Sequence, residues 1–375
     1  GIRDMWGNLE VASRVGTDVE AGERVSPRFV TPGNLVDGAD PWWPESVEAD
    51  TPERGVFVVD SLAATGASFI KVYSLLAPET YRAILRRAHE VGLPAAGHVP
   101  FMVSAAEASD LGQASMEHLF GVMEGCSRAE DSVRAARSIW LEARARGDST
   151  GFHPFFDIGM YRLIVDGFDP TRCVGLLRRF ADNRTWQVPT LFISRTDAMM
   201  HDSTFLSDPR LGFLSEDELD YWNGILETVR SGDEEDQKWQ WAYYERELEI
   251  TRMMADLGVP ILPGTDCPGP FLFPGFSLHD ELETLVEAGL SEAQTLRAAT
   301  YEPAVFFGAT DSLGTVEVGK LADLVLLEGN PLEAISNTRK IAAVVANGRL
   351  FNRDGLDSLF AEVRVKAGET EGTGP

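Results

Sequence analysis

Three short apolar runs within residues 69–119 decide the fold: FIKVY at 69–73, PAAGHV at 94–99 and SMEHL at 115–119. Segments with the apolar period of a helix separate them, over residues 78–91 and 104–111, and each ends just before a glycine. Strand, helix and strand at this spacing are typical of βα units on a parallel sheet. The runs lack polar alternation, as expected of strands that are buried on both faces.

The same alternation extends to both sides of this stretch. We predict further helices over residues 56–64, 234–257, 277–288 and 291–307, with an S-x-x-D cap formed by Ser277 and Asp280. The outer apolar runs bring the total to seven strands, near residues 2–5, 28–31, 69–73, 94–99, 115–119, 187–193 and 259–265. A closed barrel needs eight strands. The predicted fold class is therefore α/β, a (β/α)8 TIM barrel whose first strand is missing.

The pattern changes after Gly308, where residues 313–327 and 341–351 are β-rich and broken by glycines. These segments do not fit the barrel period and indicate a small β-sandwich at the C-terminal end. The predicted domains are a barrel over residues 1–308, incomplete at its N-terminus, a β-sandwich portion over 309–363 and a tail over 364–375. The tail is rich in Gly, Glu and Thr, which predicts disorder.

Composition excludes several classes of partner. The chain has 375 residues, with 33 Lys and Arg against 59 Asp and Glu, a formal net charge of −26. A field of that sign repels phosphate backbones and anionic headgroups, so we expect neither nucleic acid nor a membrane surface as a partner. No run of about 18 apolar residues is present. The expected partner is a small-molecule or dipeptide-like substrate, and homo-oligomerisation is left open.

Neither the cysteines nor the start of the chain fixes the compartment. Cys126, Cys173 and Cys267 are too few and too scattered for a disulfide framework. The first residue is Gly1 and no leader follows, so either a leader has been removed or the chain belongs to something longer. Cytoplasmic and secreted or periplasmic locations both stay open.

Polar side chains end four of the predicted strands: Lys71, His98, His118 and Asp266. The carboxyl ends of parallel barrel strands meet at one rim, where chemistry takes place. Two imidazoles and a carboxylate there are typical of a catalytic divalent-metal site, which lowers the pKa of a bound water to about 7. Each residue also has a structural alternative, because a lone strand histidine is more often a core residue and Asp266 could be a bare loop aspartate.

Lys71 is one of only five lysines and lies in an apolar strand. Burying an unpaired ammonium is costly. We therefore expect this amine to be paired, neutral or chemically modified.

Residues 69–351 resemble the metal-dependent amidohydrolase superfamily, most closely its imidazolonepropionase-like and Xaa-Pro dipeptidase-like branch. The resemblance is carried by FIKVY, AAGHVP, SMEHLFG, VPTLFIS, GVPILPGTD, SLHDELETLVEAGLSEAQTLRAATYEPAVFFG and GTVEVGKLADLVLLEGNPL. It implies a (β/α)8 barrel and a small β-sandwich built from both chain ends.

The resemblance also implies a role for each strand-end residue. Lys71 matches a lysine that is carboxylated and bridges two metal ions. His98 and His118 match histidines that bind one of the ions, and Asp266 matches an aspartate that binds metal and accepts the proton of the attacking water. The expected cofactor is a divalent metal, taken to be zinc, with two ions in the complete enzyme.

Three further residues are candidates for substrate binding. Tyr73 lies two residues after Lys71 on the same strand face, where its hydroxyl could contact substrate or simply pack. Arg195 could clamp a substrate carboxylate, although solvated arginines are common at rims. His279 resembles a position in the family's S-L-H-x-E-L stretch, although a histidine at a helix start needs no function.

The sequence departs from the family at one point, because it contains no H-x-H pair. In the family this pair ends the first barrel strand, and GIRDM at residues 1–5 resembles the end of the second. The expected function is hydrolysis of an amide or peptide-like C–N bond by metal-activated water. The alternatives are a truncated or degenerate member that is inactive or only binds ligand, and a mononuclear metal deaminase, against which Lys71 argues.

Overall fold

The computed structural model describes residues 1–148, 153–200, 202, 207–230 and 234–369. The chain divides into two compact units. The first contains Gly1–Pro189 and Ile250–Ile261, and the second contains Thr190–Glu249 and Leu262–Pro375. This division differs from the boundary predicted after residue 308.

The elements alternate along the chain as the sequence predicts. The helices are α1 Leu9–Glu20, α2 Pro52–Ala64, α3 Pro78–Glu90, α4 Ala105–Asp110, α5 Val122–Gly125, α6 Glu130–Ala145, α7 Ile158–Asp166, α8 Pro170–Asn183, α9 Leu191–Met199, α10 Glu216–Arg230, α11 Glu234–Leu257, α12 Ser277–Glu287, α13 Glu292–Phe306 and α14 Arg353–Glu369. The strands are β1 Ile2–Arg3, β2 Phe29–Val30, β3 Val36–Asp37, β4 Val47–Glu48, β5 Ile70–Val72, β6 Ala95–Gly97, β7 Ser115–Glu117, β8 Trp186–Val188, β9 Leu324–Leu327, β10 Ile341–Ala346 and β11 Arg349–Asn352.

A parallel sheet organises the first unit and confirms the α/β class. Its six strands run in the order β4-β3-β5-β6-β7-β8, and β1 and β2 form a separate parallel pair. A parallel bridge from Gln187 to Ile261 marks the last predicted strand, which is otherwise irregular. The sequence did not predict β3 and β4, because two residues are too few to show a period.

Local signals explain the helices that cover this sheet. The Thr51 side chain accepts from the Arg54 N–H at the start of α2, and Pro52 and Pro78 occupy first-turn positions of α2 and α3. The two helices pack closely, since a Cβ at Gly55 would lie 2.8 Å from Cγ1 of Ile84. Strands β5, β6 and β7 are buried throughout, which accounts for their unbroken apolar runs.

Two of the cysteines form a single disulfide, a pairing that the sequence did not predict. Cys126 follows α5, Cys173 lies in α8, and both are fully buried. They are 47 residues apart, so neither spacing nor composition pairs them in the sequence. Only Cys267 is a free thiol among the described residues.

The second unit begins where the predicted strand over 187–193 fails. Strand β8 ends at Val188, Thr190 is left-handed with φ 52°, and α9 starts at Leu191. The buried carboxylate of Glu281 accepts from the N–H groups of Leu191 and Phe192, at 3.2 and 2.8 Å. A helix cap supplied from 89 residues away leaves no local signal.

The predicted S-x-x-D cap of α12 is also wrong. The N-cap position is Phe276, and no side chain caps this helix. The Ser277 hydroxyl instead accepts from the Phe273 N–H at 2.8 Å. Tight packing around Phe273 explains this, because Phe273 belongs to the buried cluster of the second unit: Met200, Leu214, Trp222, Leu226, Phe271 and Phe273.

The β-rich C-terminal segments form an antiparallel sheet in the order β11-β10-β9. A second layer that would make it a sandwich stays a prediction. The disordered tail predicted over 364–375 is wrong for residues 364–369, which continue α14, and residues 370–375 lie outside the described part of the chain. Among the helices that the structure describes, none combines the length and apolarity needed to cross a membrane.

We predict that Cys126→Ala lowers the free energy of unfolding by about 4 kcal/mol, because the disulfide closes a loop of 47 residues in the unfolded chain. Urea unfolding measures the loss. Cys267→Ala is the matched control and should change the free energy by less than about 0.5 kcal/mol. Equal unfolding midpoints for Cys126→Ala and the parent chain would show that the bond is not formed in solution.

Candidate functional site

The strand register of the first unit brings several predicted site residues to one face of the sheet. Lys71 lies beside Ala96, and Ala96 beside Ser115, in neighbouring parallel strands. Side chains two residues apart on a strand share a face, so Tyr73 and His98 lie on the same face as Lys71, one step nearer the carboxyl ends. Glu117 joins them from β7.

His98 is the centre of this group and is 3% exposed. Its ring stacks on Tyr73, with centroids 4.0 Å apart, and meets His118 edge-on at 5.0 Å. Its Nδ1 lies 2.8 Å from the hydroxyl of Ser74. When Nδ1 carries the proton it donates to Ser74, and Nε2 then presents its lone pair, as a metal-binding imidazole requires.

Lys71 is also 3% exposed, and Gly97 makes room for it. Gly97 has φ 130°, and a Cβ there would lie 2.9 Å from Cδ of Lys71 and 2.2 Å from the Val72 carbonyl oxygen. Burial, with smaller contributions from the Lys71 charge and from His118, holds the pKa of His98 well below its usual range. The His98 ring is therefore neutral at physiological pH, which is the form that binds metal.

A tight turn directs His118 towards this group. His118 and Leu119 follow β7 with φ 62° and 54°, in the left-handed region that residues other than glycine seldom adopt. The His118 N–H donates to the Val188 carbonyl at 2.9 Å, which fixes the turn to β8. Such backbone outliers cluster at functional sites.

An ion pair that the sequence analysis missed supports the same strand. Arg3 of β1 donates to both carboxylate oxygens of Glu117, at 3.1 and 3.0 Å, and to the hydroxyl of Ser115 at 3.0 Å. Ser115 in turn donates to Glu117 at 2.6 Å. Both carboxylate oxygens of Glu117, the residue next to His118, thus accept hydrogen bonds. The only signal for this in the sequence was a glutamate within a predicted buried strand.

The other predicted site residues lie in the second unit. Asp266 is exposed in a loop, with φ 49°. Arg195, in α9, pairs with Glu287 at 3.1 Å, and Nδ1 of His279, in α12, lies 2.9 Å from the hydroxyl of Thr338. The structure therefore gives Arg195 and His279 protein partners, and their predicted contact with substrate stays a prediction.

The donor set of the first unit fits a divalent metal only in part. His98 and His118 supply imidazoles of the right kind, but a Lys71 ammonium would repel a cation. The set fits once the Lys71 amine is carboxylated, since the side chain then offers anionic oxygens. Within the described residues, no group of three or more His, Cys, Asp and Glu side chains could hold a metal ion.

Glu281, in α12, is a buried acid that the sequence analysis missed although it lies within the SLHDEL stretch. Burial raises its pKa to about 8, against the opposing effect of the two backbone N–H groups that it accepts from. Its role is to cap α9, which carries Arg195.

Comparison with known proteins shows what parts of this chain are similar to. Residues 245–351 match the model of the amidohydrolase family. An imidazolonepropionase from Syntrophobacter fumaroxidans is 39% identical over 85 residues, which cover 22% of this chain and 20% of that protein. The chain thus matches only about a fifth of this curated relative.

Solved structures extend the similarity over nearly the whole chain. A bottromycin amidohydrolase has a TM-score of 0.74 at 23% identity, covering 98% of this chain and 74% of its own. A Xaa-Pro dipeptidase with methionine bound in its active site has a TM-score of 0.60 at 19% identity, covering 93% of this chain and 74% of its own. The predicted resemblance to the amidohydrolase superfamily and the α/β barrel fold with an antiparallel C-terminal sheet are confirmed.

We predict that Gly97→Ala destabilises the chain by more than about 2 kcal/mol, because the new Cβ collides with Val72 and Lys71 at an unfavourable φ. Gly92→Ala is the matched control, since φ is 76° there but nothing lies within 4 Å of the added Cβ. It should cost only about 1–2 kcal/mol of backbone strain. Equal losses in urea unfolding would mean that Lys71 does not need the space at Gly97.

Glu281 makes stability depend on pH. Between its unfolded pKa of 4.5 and its folded pKa of about 8, the folded state holds a proton that the unfolded chain releases. The free energy of unfolding should therefore fall as pH rises through this range, by at most about 1.4 kcal/mol per unit. Glu281→Gln should flatten the slope, whereas the exposed control Glu333→Gln should leave it unchanged. An unaltered slope in Glu281→Gln would contradict the raised pKa.

Proposed function

We propose that this chain is a metal-dependent hydrolase that cleaves an amide or peptide-like C–N bond in a small-molecule or dipeptide-like substrate. The observation that carries the proposal is the convergence of His98 and His118 near the buried Lys71, at the carboxyl ends of parallel strands. The match of residues 245–351 to the amidohydrolase family supports the same chemistry.

The residues that would hold the metal are His98 and His118 through their imidazoles and Lys71 through a carboxylated amine, with Asp266 added from the family resemblance. We take the ion to be zinc, to which a carboxylated Lys71 would offer anionic oxygens. When bound, a divalent metal polarises the substrate carbonyl and lowers the pKa of water.

The chain's own residues prepare this chemistry in three ways. Ser74 fixes the ring of His98 through Nδ1 and thereby aims Nε2 at the site. Tyr73 stacks on one face of the same ring. Asp266, as the family resemblance implies, would accept the proton of the attacking water and later return it to the leaving amine.

An inactive chain that only binds ligand is the second candidate. One observation favours it: Asp266, the assigned proton acceptor, is exposed in a loop. A mononuclear deaminase is less consistent with the structure, because it gives no role to a buried lysine beside the histidines.

The decisive test is Lys71→Ala. Removing the Lys71 amine should reduce the amount of bound metal, measured by atomic emission. It should also lower kcat/KM by about 1,000-fold, because the metal supplies several kcal/mol of transition-state stabilisation. The control is Lys238→Ala, a lysine on the exposed face of α11 that pairs with Glu235. It should leave both quantities unchanged.

Asp266→Asn separates the two candidates. In an enzyme it should abolish turnover of a dipeptide or acylated amino acid while His98 and His118 still bind metal. Full activity of Asp266→Asn would contradict the role of Asp266 as the proton acceptor. Absence of turnover in the parent chain, with metal bound, would favour the ligand-binding alternative.

A further inference from the structure

Aromatic side chains surround the histidine pair of the first unit on two sides. On one side, the Phe120 ring lies 5.1 Å from His98 and 5.3 Å from His118, and Phe155 packs on Phe120 at 5.2 Å. On the other side, Tyr73 stacks on His98. Sites for small ligands are lined mostly by apolar and aromatic side chains with a small number of polar groups, and this cluster has that composition.

The Tyr73 side continues outward through two tryptophans. The Trp43 indole N–H donates to the Tyr73 hydroxyl at 3.1 Å, and the Trp6 ring lies 5.4 Å from the Trp43 ring. Tyr73, Trp43 and Trp6 thus form a continuous row of rings that starts at His98, each ring contacting the next. We call these three residues the aromatic track.

The track leads from the buried histidine to the solvent. Trp43 is 38% exposed and Trp6 is 40% exposed, although His98 is almost fully buried. The favourable free energy of burying a tryptophan ring is largest when both of its faces are covered. Two half-exposed rings in contact therefore leave apolar surface that a ligand can cover.

The loop that carries Trp43 is held rigidly against the strand that carries Tyr73. The buried Asp37, at the end of β3, accepts from the Trp42 N–H at 3.1 Å and from the Leu75 N–H at 2.7 Å. One carboxylate therefore ties the tryptophan loop to the residues that follow β5. A subsite held in this way binds without the cost of ordering the loop.

From these contacts we propose that the aromatic track is a substrate subsite for an aromatic or large apolar side chain next to the bond to be cleaved. The proposal rests on the proposed function and narrows its substrate class to amides with an uncharged, ring-bearing group. Trp43 is the specificity-determining residue, because it contacts both ends of the track.

The test compares two neutral amide probes that differ only in their side chain, N-acetylphenylalanine amide and N-acetylalanine amide. Calorimetry gives the affinity of each, and amine release gives kcat/KM where a probe is hydrolysed. The parent chain should prefer the phenylalanine probe by about tenfold or more, since a buried aromatic contact is worth roughly that factor. Trp43→Ala should remove this preference and leave the alanine probe unaffected.

Two further variants keep the test falsifiable. Trp43→Phe loses the N–H that holds Tyr73 but retains an aromatic ring. It should therefore keep most of the preference for the phenylalanine probe, which gives a readout even if Trp43→Ala folds poorly. Phe57→Ala removes an exposed ring on α2 that contacts Arg54, and it should change neither probe. Equal binding of the two probes, failure of the phenylalanine probe to bind, or equal losses in Trp43→Ala and Phe57→Ala would overturn the subsite.

The outcomes also separate the subsite from the proposed function. Selective, Trp43-dependent binding of the phenylalanine probe without hydrolysis would support the subsite and contradict the hydrolase. Hydrolysis of both probes at the same kcat/KM in every variant would support the hydrolase and overturn the subsite.

Discussion

The desolvation of one lysine is the constraint on which the candidate site depends. Lys71 lies in the middle of a parallel sheet, and taking an ammonium out of water costs several kcal/mol in real proteins unless another charge compensates. Two neighbours accommodate this side chain: Gly97 has no Cβ where the lysine side chain passes, and the pKa of His98 is lowered by burial and, to a smaller extent, by the lysine charge. Carboxylation of the amine would replace this positive charge with a negative one, and the side chain could then bind a metal ion.

The same face of the sheet also carries an ion pair, in which two opposite charges compensate each other. Arg3 and Glu117 satisfy each other with two hydrogen bonds, and Ser115 completes the network. A buried pair of this kind adds little net stability, but breaking it leaves a buried charge unpaired, so it fixes which strands may lie together. The Glu117 charge therefore supports the strand that leads to His118, whereas a ligand-binding role of Lys71 is a proposal.

Local patterns were sufficient for most of the fold and for placing His98 and His118 at neighbouring strand ends, while their role as metal ligands stays a prediction. Apolar runs such as FIKVY located the strands, helix periods located α2, α3 and α11, and the strand ends identified Lys71, His98 and His118, because parallel strands bring their carboxyl ends together. The failures involve partners distant in sequence. Glu281 turns a predicted strand into the start of α9, and Cys173 pairs with Cys126, and neither event has a local signal. The contact of Trp43 with Tyr73, 30 residues later, was missed for a similar reason.

The disulfide has a consequence for how this site can change during evolution. Its two cysteines hold the ends of residues 126–173 with their Cα atoms 4.1 Å apart, and that segment delivers Phe155 to the histidine pair. Because the disulfide joins the two ends of this segment, residues within it can be inserted, deleted or exchanged while the strands of the sheet keep their register. The covalent bond therefore lets the sequence of this segment vary without moving the strands that lead to His98 and His118.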